Sequence, residues 1–280
     1  MESGKLCIDI GGTKTIFALI NKNGIIKSKR IDTSITKQAF LEDMKRNIEE
    51  YLPLSNGIIN ISIAGSVDRK GKVVFCPNLP IRGVNFLEFL RKFSDKVNIE
   101  NDGNCFGLYQ LYKGYLRGAN SGLIVVWGTG IGNSIIYKNR IYEGGGFATE
   151  SGHIIVDYKT GKSAEDMIGG KSIIKRYKMN GLEMHNLAEK GNKKAIASFN
   201  SIGKMFGYYL SSMCFVIDPE TIVIGGSFVN SWKFMERSVY EILRSNPLRK
   251  NIKVKIVKGK FYVIRGCYFI DEHKSFNNKL

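Results

Sequence analysis

KLCIDIGGTKTIFALINKNG, residues 5–24, is the stretch that decides the fold. An apolar strand runs up to Ile10, Gly11-Gly12-Thr13-Lys14 follow, and a second apolar strand leads to an Asn-Gly turn. Glycines have no Cβ, so they allow tight backbone dihedral angles and let main-chain N–H groups approach an anion. Because Thr13 adds a hydroxyl and Lys14 a positive charge, the stretch predicts a β-hairpin whose tip binds phosphate.

The same plan recurs in LIVVWGTGIGNSIIYKNRIY, residues 123–142, where Gly128-Thr129-Gly130-Ile131-Gly132 separates two apolar strands. Two hairpins with glycine tips indicate an internal duplication, in which each half forms one α/β domain. We expect both phosphate loops to face a cleft between the halves. A nucleotide bound by both loops would couple its binding to domain closure.

The composition is that of a globular protein with more than one core. The chain has 280 residues, of which 43% are hydrophobic and 24% charged, enough for two domains. No apolar run reaches the ~18 residues of a membrane span, and a short polar lead runs straight into the first strand. We therefore expect neither a membrane segment nor a signal peptide, and a cytoplasmic protein.

The cysteines predict buried, reduced thiols rather than disulfides or a zinc cluster. They are odd in number and widely spaced, and no pair has the Cys-x-x-Cys spacing. The five are Cys7, Cys76, Cys105, Cys214 and Cys267.

A formal net charge of +17 would suit a nucleic-acid binder. The lysines are dispersed, however, and within residues 252–256 they alternate with apolar residues, as on the solvated face of a strand. The sequence shows neither a helix-turn-helix pattern nor an aromatic-basic stacking motif. The charge distribution favours a solvated lysine-rich surface that can attract ATP, and we expect no nucleic-acid partner.

Periodicity and turn residues predict the order of the elements. In chain order these are strands at about 5–10, 15–20 and 25–31, a helix at 36–51, a buried strand at 57–64, a helix at 85–94, a strand at 97–100, a helix at 104–117, the second hairpin set from 122, helices from 163 to 216, a strand at 221–224, a helix, a lysine-rich strand and a C-terminal helix from about 263.

Asp102 is the first candidate for catalysis. It follows a predicted strand and is flanked by Asn101 and Asn104, and ligands of open α/β sheets gather at the carboxyl ends of strands. A carboxylate there can accept a proton from a substrate hydroxyl, and neighbouring amides suit a polyol. The same residues are also favoured in a turn that caps the following helix, and both interpretations stay open.

A second polar cluster lies in a glycine-rich loop, where Glu150 and His153 are three residues apart and Glu165 follows. These groups can bind sugar hydroxyls. As a metal site the cluster is poor, because it has one histidine and no nearby cysteine. Asn78 and Gly65 are further candidates, although each can simply be a turn residue.

Two features can serve the nucleotide. Asp9 ends the first strand beside the glycine tip and can orient Mg²⁺ through water, although an aspartate there can also just order the turn. Gly225 and Gly226 follow a buried strand and offer flat backbone on which a purine can lie. A tight turn from strand to helix explains the same glycines equally well.

Together these motifs resemble the ROK family (repressors, open reading frames and kinases), from residue 5 to about residue 230. In this order they are highly specific: Asp9-Ile10-Gly11-Gly12-Thr13-Lys14, Pro77-Asn78-Leu79, Glu100-Asn101-Asp102, Gly128-Thr129-Gly130-Ile131-Gly132, Glu150-x-Gly152-His153 and Ile224-Gly225-Gly226.

The resemblance implies an α/β fold of the actin-like ATPase superfamily, with two RNase H-like domains and a nucleotide and sugar cleft between them. We predict a small N-terminal domain of residues 1–104 plus 264–280 and a large domain of residues 105–263. Family members are often dimers or tetramers, so we expect a homo-oligomer.

The resemblance also implies roles for the residues. Asp102 would be the general base for the sugar 6-hydroxyl. The sugar would be bound by Gly65, Asn78, Asn101, Asp102, Glu150, His153 and Glu165. ATP would be bound by Gly11, Gly12, Thr13, Lys14, Gly128, Thr129, Gly130, Gly132, Gly225 and Gly226.

One departure from the family pattern matters. Many ROK proteins carry a Cys-x-Cys-Gly-x-x-Gly-Cys zinc loop after the Glu-x-Gly-His motif, whereas residues 156–165 of this chain are shorter and contain no cysteine. We therefore predict no zinc and a direct contact of His153 with the sugar. Loss of the loop favours a broad hexokinase over strict glucose specificity.

The resemblance thus implies ATP-dependent phosphorylation of a hexose at its 6-hydroxyl, most simply glucose, within glycolysis or related carbohydrate metabolism. N-acetylmannosamine, N-acetylglucosamine and fructose are alternative acceptors. A sugar-sensing repressor of this family carries a DNA-binding segment before the first strand, and only four residues precede Lys5 here, so we expect an enzyme. A silent sugar or nucleotide binder is disfavoured because Asp102 and both glycine loops are retained.

Overall fold

The structure is a computed structural model that describes residues 3–146, 149–248, 251–259 and 261–277. The chain divides into two compact units, one of Met1–Arg117, Glu143–Ala148 and Lys260–Leu280, the other of Gly118–Tyr142 and Thr149–Gly259. This division differs from the predicted boundaries at residues 104 and 263, which stay a prediction. The ends of the predicted first domain, residues 1–2 and 278–280, lie outside the described residues.

The first unit is built on a five-stranded sheet in the order β3-β2-β1-β4-β7. Strands β2 and β3 are antiparallel to their neighbours, whereas β4 and β7 run parallel to β1. Its elements up to residue 113 are β1 (Gly4–Ile10), β2 (Lys14–Asn21), β3 (Gly24–Asp32), α1 (Lys37–Tyr51), a 3-10 turn (Leu52–Leu54), β4 (Ser55–Ile63), β5 (Ser66–Val67), β6 (Val73–Phe75), α2 (Phe86–Arg91), β7 (Val97–Asn101) and α3 (Asp102–Lys113).

The register of the three parallel strands places their carboxyl ends at one edge of the sheet. Ile10 of β1 pairs with Ile63 of β4, and Ile63 pairs with Asn101 of β7. The hairpin tip after β1, the turn after β4 and the start of α3 therefore leave the sheet side by side.

The second unit repeats this topology, with the order β10-β9-β8-β13-β14, so the predicted duplication is confirmed. Its elements are β8 (Ser121–Trp127), β9 (Ile131–Tyr137), β10 (Arg140–Ile141), a 3-10 helix (Ser151–His153), β11 (Ile155–Asp157), β12 (Lys162–Ser163), α4 (Ala164–Ile168), α5 (Gly170–Tyr177), α6 (Gly181–Glu189), α7 (Lys193–Ile217), β13 (Thr221–Gly225), a second 3-10 helix (Ser227–Phe234), α8 (Glu236–Ser245) and β14 (Lys253–Ile256). The sequence had not predicted the 3-10 helix after β13.

The chain ends in the first unit with two helices, α9 (Tyr262–Cys267) and α10 (Ile270–Asn277), where the sequence predicted one. Helix α9 crosses α3 at very close range, since a Cβ on Gly266 would lie 1.7 Å from the carbonyl oxygen of Cys105. The buried Asn60 of β4 donates hydrogen bonds from Nδ2 to the carbonyl of Cys267 at 2.8 Å and to Asp271 Oδ1 at 2.7 Å. These contacts attach the C-terminus to the sheet.

Each unit has its own apolar core. In the second, Trp127 stacks on Phe206 and Phe228, with ring centroids 3.9 and 4.8 Å apart, and donates from Nε1 to the carbonyl of Ile168. All five cysteines are free and buried, as predicted. Among the described residues, no helix combines the length and the apolar character that a membrane span requires.

Lys5 of β1 offers a test of how the C-terminal helices are held. Its side chain is 9% exposed, and Nζ donates to Asp271 Oδ1 at 2.9 Å and to Glu272 Oε1 at 2.8 Å. Burial by itself lowers the pKa of this ammonium, but the hydrogen bonds to the two carboxylates outweigh it and raise the pKa.

Lys5→Ala should lower the free energy of unfolding by about 3 kcal/mol, because it leaves the partly buried Asp271 without its cation. Lys29→Ala, which removes an exposed ion pair with Glu50, should cost less than about 1 kcal/mol. Urea denaturation of the two variants measures both values. Equal losses would contradict the role given to Lys5.

Candidate active site

The tip of the first hairpin is held by the end of β3. Gly11 N donates to the carbonyl of Lys14 at 3.0 Å, and Thr33 Oγ1 donates to the carbonyl of Gly11 at 2.7 Å. Thr33 N donates to the carbonyl of Thr13. Since the N–H of Gly11 is used inside the loop, any phosphate contact has to come from the residues after it, and Thr13 and Lys14 are exposed.

Gly12 is required by a close approach rather than by its dihedral angles. A Cβ there would lie 2.5 Å from Cβ of Asn78, so the structure brings Asn78 against the hairpin. Neither Gly11 nor Gly12 has a positive φ.

Asp9 lies directly below this tip as a partly buried carboxylate. Ser62 Oγ donates to its Oδ1 at 2.9 Å. Burial raises the pKa of Asp9 to about 6, although the Ser62 hydrogen bond and the charge of Lys14 oppose the shift. A bound cation would relieve this burial cost, so the residue fits the prediction that it orients Mg²⁺ through water.

Asn101 and Asp102 occupy the junction of β7 and α3. Asn101 Oδ1 accepts from the N–H groups of Gly103 and Asn104, which confirms the capping interpretation. Its Nδ2 donates to the carbonyl of Gly65 at 3.2 Å, so these two predicted sugar residues lie together. Asp102 is in the first turn of α3, where a carboxylate is favoured by the helix dipole.

Glu100 and Asn104 support this junction, and the sequence analysis had not assigned Glu100 a role. Glu100 Oε1 accepts from Asn101 N and from Asn104 Nδ2, both at 3.0 Å. Both side chains line a cavity of about 670 Å³ within the first unit. The turn after β4 is equally constrained, because a Cβ on Gly65 would lie 2.4 Å from the carbonyl oxygen of Phe75.

The glycine tip of the second unit is bound to two helices. Gly128 N donates to the carbonyl of Gly130, and the first amides of α5 donate to the carbonyls of Gly128 and Thr129. Glu165 Oε2 accepts from Ile131 N at 2.7 Å, and a Cβ on Gly130 would lie 2.2 Å from that oxygen. One carboxylate oxygen of Glu165, predicted to bind sugar, therefore supports the second glycine tip.

Glu150 caps the short 3-10 helix Ser151–His153 and His153 is its last residue, with Glu150 Oε2 4.0 Å from His153 Nε2. Between them, Ser151 Oγ and Tyr209 Oη form a buried hydrogen bond of 2.8 Å, and burial raises the pKa of Tyr209 to about 12. These contacts fix the backbone, while the side chains of Glu150 and His153 stay about half exposed and accessible to a ligand.

Gly226 meets the strictest requirement for glycine, since its φ is 96° and a Cβ would lie 2.3 Å from the carbonyl oxygen of Trp127. Beyond it opens a cavity of about 590 Å³ within the second unit. Its lining comprises Gly128, Thr129, Gly170, Lys171, Ile174, Gly181, Leu182, His185, Ser227, Phe228, Asn230 and Ser231. Of these residues the sequence indicates only Gly128 and Thr129, because no motif marks α5, α6 or the second 3-10 helix.

The side-chain geometry also bears on metal ligation. Within the part of the chain that the structure describes, no three histidine, cysteine, aspartate or glutamate side chains converge as a metal site. The absence of zinc stays a prediction.

Comparison with known proteins agrees with these motifs. The family model described as the ROK family matches residues 5–263. The chain belongs to the ROK family. Among relatives, an uncharacterized protein of Clostridium perfringens is 28% identical over 295 residues, covering 94% of this chain and 95% of its own.

Two further relatives represent different activities within the ROK family. An N-acetyl-D-glucosamine kinase of Photobacterium profundum is 24% identical, over 95% of this chain and 98% of its own. A xylose repressor of Bacillus spizizenii is 26% identical, over 73% of this chain and 58% of its own.

The fold is that of ROK sugar kinases, which confirms the predicted fold class of two α/β units with the actin-like ATPase topology. A ROK family glucokinase from Streptomyces griseus, solved in complex with glucose and AMPPNP, superposes with a TM-score of 0.82 at 21% identity, covering 97% of this chain and 99% of that one.

The raised pKa of Asp9 predicts a pH-dependent effect on stability. A carboxyl whose pKa is higher folded than unfolded contributes stability below its unfolded value, near 3.8, and that contribution is lost as the pH rises through about 6. Relative to wild type, Asp9→Asn should gain about 2 kcal/mol of unfolding free energy between pH 4.5 and pH 7.5. Denaturant titrations at both pH values, with the exposed Asp32→Asn as control, measure the gain. A difference independent of pH would contradict the assignment.

Substitution by alanine should have different effects at Gly130 and at Gly132 of the second glycine tip. Gly130→Ala should cost about 1 to 3 kcal/mol and weaken ATP binding, because its Cβ displaces Glu165 from the Ile131 amide. Gly132→Ala should cost under about 1 kcal/mol, since its Cβ meets only Val126, at 3.7 Å. Thermal unfolding and ATP titration of both variants test this. Equal behaviour would rule out the contact with Glu165 as the cause.

Proposed function

We propose that the protein transfers the γ-phosphoryl group of ATP to the 6-hydroxyl of a hexose, with Asp102 as the general base. One observation carries the proposal. The register of β1, β4 and β7 delivers the phosphate hairpin, Gly65 and the Asn101-Asp102 pair to the same edge of one sheet. A base, sugar-binding amides and a phosphate loop at one edge are the parts that phosphoryl transfer to an alcohol requires.

In the proposed reaction, Asp102 accepts the proton of the sugar hydroxyl as its oxygen attacks the γ-phosphorus. The bond from that phosphorus to the β–γ bridging oxygen breaks in line, and ADP leaves with the electron pair. Asn101 orients Asp102 by capping α3, and Glu100 orients Asn101 through its backbone N–H. A base held this way meets the hydroxyl without reorganising.

The hairpin tip and Asp9 would serve to neutralise the negative charge of the ATP phosphates. Lys14 and the backbone N–H groups after Gly11 would contact phosphate oxygens, and Asp9 would hold the Mg²⁺ ion, which supplies charge stabilisation to the β- and γ-phosphates. The Ser62 hydroxyl keeps the Asp9 carboxylate oriented. Because Asp9 is partly buried, its charge is tolerated best when the cation is bound.

The second unit would supply the remaining contacts. The cavity beyond Gly226 has the size of a nucleoside site and contains the second glycine tip, so we assign it to the adenosine of ATP. Glu150 and His153 would bind sugar hydroxyls from their fixed 3-10 helix. With no cysteine between residues 156 and 165, His153 would reach the sugar directly.

Glucose is the first acceptor we propose, with a specificity broad enough for other hexoses. The relative that is an N-acetyl-D-glucosamine kinase supports N-acetylated hexoses as the alternative, with N-acetylmannosamine and fructose also to be tried. We further propose a homodimer or homotetramer as the working form. Sugar discrimination depends on a few hydrogen bonds, each worth about 1 to 3 kcal/mol.

A sugar-sensing regulator is the second candidate, and the xylose repressor relative supports it. Such a protein needs a sugar site but no general base and no phosphate loops. The retained Asp102, the hairpin tip at Lys14 and the nucleoside-sized cavity favour the kinase.

Asp102→Asn should lower kcat at least about 1,000-fold, because the amide cannot accept the hydroxyl proton, and should change sugar affinity less than about threefold. Turnover is measured as ADP release with Mg·ATP and glucose, and affinity by calorimetry. The exposed Asp95→Asn has the same chemistry at an unrelated site and should match wild type. Turnover of Asp102→Asn within tenfold of wild type would remove Asp102 as the base.

A further inference from the structure

A chain of polar side chains runs from the cavity of the second unit to its surface. Ser231 Oγ lies 3.0 Å from His185 Nδ1, and His185 Nε2 lies 3.1 Å from Glu189 Oε1. Lys233 Nζ donates to the same Glu189 oxygen at 2.6 Å. We call this chain, Ser231–His185–Glu189–Lys233, the relay. Ser231 and His185 line the cavity, so one end of the relay faces any bound nucleoside.

The charge of Glu189 sets the hydrogen positions along the relay. The hydrogen bond from Lys233 lowers the pKa of Glu189, which therefore stays an ionised, accept-only carboxylate. The imidazole nitrogen that faces it, His185 Nε2, must carry a hydrogen. In the neutral ring Nδ1 is then an acceptor, and the hydroxyl of Ser231 has to donate to it.

The geometry leaves little freedom to reverse this arrangement. Ser231 is 6% exposed and sits on the 3-10 helix Ser227–Phe234. The His185 ring packs against Phe234 in a T-shaped pair, with centroids 5.6 Å apart, and Phe234 stacks on Phe199. With its hydrogen committed to His185, Ser231 Oγ offers only lone pairs to a ligand in the cavity.

The position of Ser231 matches the base of the nucleoside better than the ribose. Ser227 is next to the glycine tip, since its Oγ would lie 3.8 Å from a Cβ on Gly128. Ser231 comes four residues later on a 3-10 helix, which rises about 2 Å per residue, and so lies roughly 8 Å along the helix from Ser227.

We propose that Ser231 accepts a hydrogen bond from the 6-amino group of adenine, and that the His185–Glu189–Lys233 relay selects ATP over 6-oxopurine nucleotides by holding Ser231 as an acceptor. This inference rests on the proposed function, because it takes the cavity to be the nucleoside site. Ser231 is the contact residue, whereas His185, Glu189 and Lys233 are positioning residues. A 6-oxo group, itself an acceptor, would face the lone pairs of Ser231 without a hydrogen between them.

The test is calorimetric binding of ATP, ITP and 2′-deoxyATP with Mg²⁺ at pH 8, in the absence of sugar. ITP carries a 6-oxo group in place of the 6-amino group. Wild type should bind ATP at least about fivefold more tightly than ITP, the effect of one hydrogen bond. Ser231→Ala should bring this ratio close to one by weakening ATP alone.

Glu189→Gln tests the relay without touching the ligand. The neutral amide no longer fixes the imidazole tautomer, so the ATP/ITP ratio should fall at least about twofold while the melting temperature stays near that of wild type. Glu183→Gln makes the same change at an exposed position of α6 and should keep the wild-type ratio. If Glu189→Gln behaves like Glu183→Gln, the positioning role is wrong.

The remaining outcomes separate this inference from the proposed function. An unchanged ATP/ITP ratio in Ser231→Ala, with ATP still bound, overturns the inference alone. Loss of the ATP/2′-deoxyATP difference in that variant would place a ribose hydroxyl at Ser231 and overturn the assignment to the base. If wild type binds neither ATP nor ITP, the proposed function fails together with the inference.

Discussion

The parallel pairing of β4 between β1 and β7 is the constraint on which the rest of the first unit depends. It aligns Ile10, Ile63 and Asn101, so the three segments that follow these residues emerge side by side. The second unit has the same strand arrangement, with β13 parallel to β8 and β14. In both units the loops that carry the candidate site residues follow strands of the central sheet, and the pairing of these strands sets where each loop begins.

Close backbone approach is the second recurring feature of these loops. Gly12 against Asn78, Gly130 against Glu165 and Gly226 against Trp127 each leave no room for a Cβ. The glycines therefore let the loops pack against their own supports, which include the hydrogen bond from the Ile131 amide to Glu165. Asp9 adds the complementary electrostatic element, a carboxylate whose burial cost a cation would offset.

The sequence predicted what short-range patterns determine. The strands of both hairpins and the capping role of Asn101 could be predicted, because apolar alternation and cap residues act locally. The bond between Glu165 and Ile131 joins residues 34 positions apart, and the Ser231–His185 contact joins two segments without a motif, so neither was predictable. The contact of Gly12 with Asn78 was equally unpredictable, because a sequence shows that a Cβ is absent but not which neighbour excludes it.

The most direct test of the kinase account is the stoichiometry of the reaction on the wild-type protein. Phosphorus NMR follows Mg·ATP with glucose, mannose, fructose, glucosamine, N-acetylglucosamine and N-acetylmannosamine in turn. We expect ADP formation that depends on at least one of these sugars, with one sugar phosphate formed per ADP and the phosphate on the 6-oxygen. ADP formation that is independent of every sugar, or none at all although sugar binds, would contradict the account.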